Sequence, residues 1–188
     1  MKVTKEQSSL NKEKILSAAS RLYREHGIGG IGIGELAKSA GLTHGSFYRQ
    51  FPNGKEEFVA AAVSRIFEEY QDFWTDTQTT EDIVRSYVTP EHCQDKQTAC
   101  PIPTLAADVS RVGGEASAAF TQGIERLLAT LMSKQDGDAG NLSEERAMQV
   151  LSSMTGAMLI AKGTHDPVLA DKIMTSVINQ WCNETADR

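Results

Sequence analysis

The chain has 188 residues, 40% of them hydrophobic and 23% charged, which is typical of folded globular domains rather than disordered chains. Its longest stretch without a charged residue, 147–161, is shorter than the ~20 apolar residues that a transmembrane helix needs. The first residues lack the apolar core of a signal peptide, and three cysteines are too few for a disulfide framework. These features argue against a membrane protein and a secreted protein, and they predict a cytoplasmic one.

Charge is distributed unevenly along the chain. Residues 1–55 hold nine Lys and Arg against four Asp and Glu, a balance of +5, whereas residues 56–188 have a balance of −11. Because the phosphate backbone of a nucleic acid attracts cationic surfaces, this pattern places any nucleic-acid interface near the N-terminus. Chance clustering of solvated charge is the alternative explanation.

The predicted elements are helices throughout. Pro90 is expected to end the fifth of them, and Cys100 to begin the sixth just before Pro101, because proline is tolerated only in a first helical turn. No segment shows sustained period-two alternation, so the prediction is an all-α fold of about nine helices. In chain order, helical spacing of apolar residues indicates helices near 15–26, 33–40, 44–50, 55–73, 79–89, 100–112, 120–131, 147–162 and 167–181.

Residues 33–51, IGELAKSAGLTHGSFYRQF, fit a short helix, a glycine turn and a second short helix. These are the parts of a helix-turn-helix, whose second helix enters the major groove of DNA. Ala37 and Gly41 supply the small residues needed where the helices meet. Leu36 and Phe47 are expected in the internal seam, which leaves at the outer surface Thr43, His44, Gly45, Ser46, Tyr48 and Arg49.

The first 60 residues resemble the DNA-binding domain of TetR-family transcriptional regulators, dimeric helical repressors that small ligands release from their operators. The family pattern is met by AGLTHGSFYRQF at 40–51 and resumes with KEEF at 55–58. The Leu-Thr-His-Gly-x-Phe-Tyr variant, together with the Cys-Pro segment at Cys100-Pro101, resembles one branch of the family. Two features depart from the pattern: Gly32 stands where relatives usually have Ser or Thr, and one extra residue separates Phe51 from Lys55.

The resemblance implies which residues bind DNA. His44 and Ser46 are expected to approach base edges, and Arg49 to reach either a phosphate or a guanine. Tyr48 is expected to place its hydroxyl on a phosphate. Glycine is costly inside a helix, which suggests that something approaches the helix closely at Gly45. The full predicted set is Thr43, His44, Gly45, Ser46, Tyr48, Arg49 and Lys55.

The chain is predicted to divide into a helix-turn-helix domain at 1–54 and a helical effector-binding and dimerisation domain at 55–188. A ligand pocket between the helices of the second domain is expected to be apolar, with ordinary core packing as the alternative for each residue. Its candidates are Phe67, Tyr70, Trp74, Ile102, Leu105, Phe120, Met154 and Met158. Small residues beside apolar ones predict a four-helix dimer interface that includes Ser153, Gly156, Leu159, Ile173, Val177 and Trp181.

The predicted function is a homodimeric repressor that binds palindromic double-stranded operator DNA and is released by a small effector. One alternative is a thiol sensor using Cys100, because a helix N-terminus favours the thiolate. Another is a helical ligand carrier or enzyme with an incidental helix-turn-helix. The GxGxxG match at 27–32 follows a helix rather than a strand, and His92, Cys93 and Cys100 fit no zinc spacing. No enzyme activity, cofactor, metal or membrane partner is therefore predicted.

Overall fold

The structure, a computed structural model, describes residues 4–136 and 140–182. These ranges contain ten helices and no strand, which confirms the all-α prediction and corrects the number from about nine. No helix within them is both long enough and apolar enough to cross a membrane. The helices are α1 (Lys5–His26), α2 (Ile33–Ser39), α3 (His44–Gln50), α4 (Lys55–Thr75), α5 (Thr80–Tyr87), α6 (Pro90–Gln94), α7 (Pro101–Val112), α8 (Gly114–Met132), α9 (Glu144–Gly163) and α10 (Pro167–Cys182).

The helix that the sequence analysis missed is α6. Pro90 was expected to end the preceding helix, but α5 already ends at Tyr87, and Pro90 is in the first turn of α6. The Thr89 side chain caps this helix by accepting a 3.1 Å hydrogen bond from the backbone N–H of His92. A proline in a first turn forfeits no intrahelical hydrogen bond, so the same residue that cannot continue one helix can begin another.

The chain divides into two compact units, and each is built from separated stretches of sequence. The first unit comprises the described residues through Glu69 together with Lys96–Gly123. Its core is apolar, and the rings of Phe47, Phe51 and Phe58 lie with centroids 4.8–5.3 Å apart. These three side chains are fully buried, so they tie α3 to the start of α4.

The second unit comprises Tyr70–Asp95 together with the described residues from Ile124 onward. Within it, α9 packs along α10, and the core includes the fully buried Ile83, Leu127 and Met154. Helices α4 and α8 each contribute residues to both units. The predicted division between residues 54 and 55 is a functional boundary that these units do not test, and it stays a prediction.

Candidate nucleic-acid interface

The turn between α2 and α3 is fixed by backbone geometry. Gly41 has a φ of +70°, in the left-handed region that favours glycine. Its N–H donates to the carbonyl of Lys38 at 3.0 Å, and the N–H of Leu42 donates to the carbonyl of Ala37 at 2.8 Å. This pair of hydrogen bonds is the Schellman arrangement, which ends α2 and directs the chain into α3. The helix-turn-helix predicted from the sequence is therefore present.

Helix α3 has one face in the core and one face outside. Phe47 is fully buried against Phe51 and Phe58, whereas Thr43, His44, Gly45, Tyr48 and Arg49 are exposed. The Thr43 side chain caps the helix by accepting a 3.2 Å hydrogen bond from the backbone N–H of residue 46. Five of the six residues that the sequence placed on the outer surface of this segment are thus exposed.

Ser46 is the exception, and its predicted position on the outer surface is wrong. It is 8% exposed, and its hydroxyl accepts hydrogen bonds from Arg49 Nη2 at 2.8 Å and from the Thr43 hydroxyl at 3.2 Å. Ser46 is the third residue of α3, and a polar side chain there turns back toward the N-cap. Its hydroxyl therefore faces Thr43 and holds the guanidinium of Arg49 against the helix.

Tyr48 carries its ring on the exposed side of α3 and is 44% exposed. The ring makes edge contacts with His44 at 5.1 Å and with Phe47 at 5.4 Å between centroids. These two contacts restrict the orientation of the ring and leave one side open to solvent. A Cβ added at Gly45 would meet no atom within 4 Å, so packing within the chain does not explain the glycine.

The extra residue between Phe51 and Lys55 is accommodated in a turn. Gly54 has a φ of +87°, and its N–H donates to the carbonyl of Phe51 at 3.0 Å. The backbone N–H of Asn53 donates to the carboxylate of Glu57 at 2.9 Å. Lys55 follows as the first, exposed residue of α4. The extra residue thus lies in the loop before α4.

The first unit also contains a buried arginine, Arg24, that was not predicted from the sequence. Arg24 of α1 donates from Nε to the carbonyl of Ala99 and from Nη2 to the carbonyl of Ile66, both at 3.1 Å. Its Nη1 is 3.2 Å from the carboxylate of Glu69. Burial opposes ionisation of Glu69, but hydrogen bonds from Ser20, Arg65 and Arg24 together hold its pKa below the usual value. Arg24 thereby joins α1 to α4 and to the residues that precede α7.

A second contact joins α1 to α7. The carboxylate of Asp108 accepts a 2.8 Å hydrogen bond from the backbone N–H of Ile28, just beyond the end of α1. Gly27 has a φ of +75°, and a Cβ there would overlap the same carboxylate. Helix α7 is thus fixed to the end of α1 through Asp108, and the residue before α7 is fixed to Arg24. No sequence pattern predicts these two contacts, because the paired residues are 75 and 80 positions apart.

The predicted pocket residues are divided between the two units. In the first, Phe67 and Leu105 are buried, Ile102 and Phe120 are half-buried, and the rings of Phe67 and Phe120 are in edge contact at 5.3 Å. In the second, the four candidates are buried: Tyr70, Trp74, Met154 and Met158. Tyr70 and Trp74 contact each other at 5.7 Å. A single pocket formed by all eight stays a prediction.

A cavity of about 540 Å³ lies elsewhere in the first unit, on the polar surface of α1, α2 and α4. Glu13 and Arg65 on its rim form an ion pair at 3.4 Å, and Arg21 donates to the hydroxyl of Ser39 at 3.2 Å. The charges of Glu13 and Arg65 therefore already have partners within the chain. It overlaps none of the predicted pocket residues.

The predicted interface residues differ in exposure. Leu159 is 55% exposed, whereas Val177 and Trp181 are buried within the chain, and Ser153, Gly156 and Ile173 are half-buried. Trp181 donates from Nε1 to the Ser153 hydroxyl at 2.7 Å, and the guanidinium of Arg146 lies 5.1 Å from its ring. Trp181 therefore holds α10 against α9. The exposed apolar residues on these helices are Met148, Leu159, Ile160, Val168 and Leu169.

The three cysteines are all free thiols. Cys100 is the N-cap of α7, as predicted, and it is fully buried. Burial raises the pKa of the Cys93 thiol and of the Cys182 thiol above their usual values. Among the residues that the structure describes, no group of three or more His, Cys, Asp or Glu side chains is arranged to hold a metal ion.

The comparisons with known proteins agree with this geometry. Residues 15–62 match the model of bacterial regulatory proteins of the tetR family. The regulator LmrA of Bacillus subtilis (strain 168), named as an HTH-type transcriptional regulator, is 43% identical over 58 residues, which are 31% of this chain and 31% of LmrA. The chain thus aligns with about a third of that relative. Rv0196 of Mycobacterium tuberculosis (strain ATCC 25618 / H37Rv), named as an uncharacterized regulator of the same type, is 21% identical over 94% of this chain and 97% of its own.

A solved structure extends the likeness in fold to nearly the whole chain. The reduced form of E. coli NemR superposes with a TM-score of 0.76 and 22% identity, covering 92% of this chain and 95% of NemR. The fold is therefore the one found in TetR-family structures, with an N-terminal helix-turn-helix domain followed by a helical domain. Residues 15–62 are therefore similar to bacterial regulatory proteins of the tetR family, and nearly the whole chain is similar in fold to NemR.

Proposed function

We propose that this protein is a TetR-like transcriptional regulator, a homodimeric repressor that binds a palindromic operator and releases it when a small effector binds to its helical body. The observation that carries the proposal is the exposed face of α3, where Thr43, His44, Tyr48 and Arg49 surround the bare Gly45. A helix with one face in the core and polar or aromatic groups on the other is how a helix-turn-helix presents its reading surface to the major groove.

Dimerisation is supported by apolar surface on the last two helices. Leu159 and Ile160 at the end of α9, and Val168 and Leu169 at the start of α10, are each 45–61% exposed. Four large apolar residues clustered on either side of one short connection are more than the scattered exposure that a monomer tolerates. A two-fold axis here would pair each patch with its copy, as a self-complementary interface requires.

Effector release needs a route from the body to α3. Within the first unit, Asp108 and the Arg24–Ala99 hydrogen bond fix α7 and the residue before it to α1. A ligand that displaced α7 would therefore also displace α1, against which α3 packs. The effector needs only a differential affinity of about 1–3 kcal/mol between the two states to change operator occupancy usefully.

Selection of bound sequences from random duplex DNA tests the proposal. We expect an inverted repeat whose half-sites lie about one helical turn, ~34–36 Å, or a multiple of it apart. Affinity should fall steeply with salt, because Lys and Arg contacts release counterions from the phosphates. Recovery of no common sequence, or of an asymmetric site bound by one copy, would contradict the proposed dimeric operator complex.

A thiol sensor is the second candidate, because Cys100 is the N-cap of α7, the helix that Asp108 ties to α1. The positive end of the α7 helix dipole favours a thiolate at this position. If it is a sensor, alkylation of Cys100 should release the operator, and Cys100→Ser should stay bound under the same reagent. If Cys100→Ser responds normally to the natural effector, the thiol serves only to pack the interior.

A further inference from the structure

In the described part of the chain, no carboxylate is paired with Arg126 of α8. Its Nε and Nη2 are both buried and have no hydrogen-bond acceptor among the residues that the structure describes. No described carboxylate forms an ion pair with it either, although the acidic residues of 56–188 outnumber the basic ones by eleven. Buried guanidinium groups in proteins are normally paired, so two unmatched donors in one side chain need an explanation.

The local sequence shows why α8 itself supplies no ion-pair partner for Arg126. Intrahelical ion pairs form between residues three or four positions apart. None of the four such positions is acidic, and Glu125, the immediate neighbour, points away around the helix. The four positions are Gln122, Gly123, Ala129 and Thr130.

One turn beyond Arg126, α8 contacts the end of α4 within the second unit. Thr130, one turn further along, accepts a 3.3 Å hydrogen bond from Gln71 and donates to the carbonyl of Arg126 at 3.0 Å. Lys134 donates from Nζ to the carbonyl of Thr75 at 3.0 Å. Thr130 and Lys134, the polar side chains that follow Arg126 here, thus have hydrogen-bond partners within the chain, whereas Nε and Nη2 of Arg126 have none among the described residues.

The two unmatched atoms identify the ligand chemistry. Nε–H and the N–H of Nη2 that lies on the same side of the guanidinium form one edge, with two parallel donors. This edge fits the two oxygens of a carboxylate in a bidentate pair, the strongest and most directional contact that arginine makes. A neutral hydroxyl or carbonyl ligand would satisfy only one of the two donors well.

We propose that the effector of this regulator carries a carboxylate, which Arg126 binds side-on through Nε and Nη2. The inference rests on the proposed function in taking the ligand of the helical body to be an effector. The carboxylate supplies the two missing acceptors, so binding matches the buried guanidinium and discriminates against uncharged analogues. Arg126 is then the residue that selects the charge class of the ligand.

The test measures ligand binding without DNA. The probes are 2-naphthoate and decanoate, each beside its uncharged primary amide, titrated calorimetrically into the full chain. We expect wild type to bind at least one carboxylate about tenfold or more tighter than its amide, because hydrogen bonds to charged groups are strong. In Arg126→Met the ratio should fall to about one. Arg85→Met, which removes an exposed cation of the second unit paired with Glu81, is the matched control and should keep the wild-type ratio.

The stability of the unliganded protein gives an independent arm. Exchange of this half-buried cation, whose Nε and Nη2 are buried without acceptors, for a hydrophobic side chain of similar length should raise the melting temperature. A lower melting temperature for Arg126→Met would mean that a carboxylate of the chain is its partner, and it would overturn the proposal. The proposal would also be overturned if Arg126→Met kept the wild-type ratio of carboxylate to amide affinity, or if wild type bound neither carboxylate. Binding of inorganic phosphate as tightly as the organic acids would overturn it as well.

Failure of the carboxylate site and failure of the proposed regulatory function can be distinguished. If the carboxylates bind through Arg126 but the protein selects no operator, the site stands and the regulatory role fails. If an operator is selected but the ratio is one, the regulatory role stands and the carboxylate assignment fails.

Discussion

The ring of Tyr48 is held by contacts with His44 and Phe47. A substitution that removes only the hydroxyl therefore tests the contribution of that group to DNA binding. In Tyr48→Phe we expect operator affinity to fall about tenfold, the size of a lost hydrogen bond to a charged group. All sequences should be weakened alike, because phosphate contacts carry no base information. Filter binding over a salt series is the measurement, and the slope against salt should stay unchanged because no charge is removed.

Lys55→Ala is the informative companion to Tyr48→Phe. Loss of one cation should weaken binding and also reduce the salt slope by about one. The melting temperatures of both variants should match wild type, since both residues are exposed. If Tyr48→Phe bound DNA as tightly as wild type at every salt concentration, the predicted contact between the Tyr48 hydroxyl and a phosphate would be wrong.

At the residue scale the sequence predicted what is local. Gly41, Thr43 and Phe47 could be placed because turn, cap and seam positions follow from neighbours within a few residues. Ser46 could not, because its direction depends on whether a side chain at the third helical position turns back to the cap. Arg126 could not either, because a missing partner is visible only once every surrounding acceptor has been placed.

Among the elements, α9 and α10 make the sharpest prediction. Leu159→Glu places a charge on an exposed apolar patch, so we expect monomers that fold normally yet bind the operator weakly and without cooperativity. Sedimentation velocity at micromolar concentration is the measurement. Val112→Glu changes an equally apolar residue, 44% exposed, on α7 and should stay dimeric. A dimeric Leu159→Glu protein would place the interface elsewhere.

Element boundaries were predictable wherever one residue decides them. Helix α1 ends at His26 and Cys100 precedes α7, as the sequence predicts. Helix α6 is not predictable from Pro90 alone, because a proline that cannot continue one helix can begin the next. The pairing of α1 with α7 was not predictable. Arg24 and Asp108 meet partners 75 and 80 residues away, and neither contact leaves a periodic trace in the sequence.

For the molecule as a whole, the aromatic cluster of the second unit predicts how stability varies with pH. His92 lies 4.6 Å from the ring of Tyr87 and 6.1 Å from that of Tyr70. Burial lowers its pKa below 6.5, against opposing effects of a hydrogen bond to the Tyr87 carbonyl and the charge of Asp95, while Lys162 lowers it further. The unfolded chain therefore binds a proton at pH values where the folded chain does not.

The sign follows from this proton difference. The stabilising contribution of neutral His92 is complete above pH 6.5 and is lost as the pH falls below it toward the lowered pKa of the folded state. Urea unfolding between pH 7.5 and 5.5 should show a falling free energy of unfolding, and His92→Phe should flatten that slope. The exposed His165→Asn is the matched control. An equal slope in His92→Phe would mean that other groups set the pH dependence.

The proposed function invites the construction of hybrids, in which the DNA-binding region of one regulator is joined to the effector-binding region of another. A junction at residue 54 would leave behind both the Ala99 carbonyl and the Asp108 carboxylate, and Arg24 would be transplanted without the acceptors that surround it. The portable module is therefore discontinuous: it runs to Glu69 and includes Lys96–Gly123. We expect hybrids that exchange both stretches to have a higher melting temperature than hybrids joined at residue 54. We also expect that only in the former does the effector of the second protein still control operator binding.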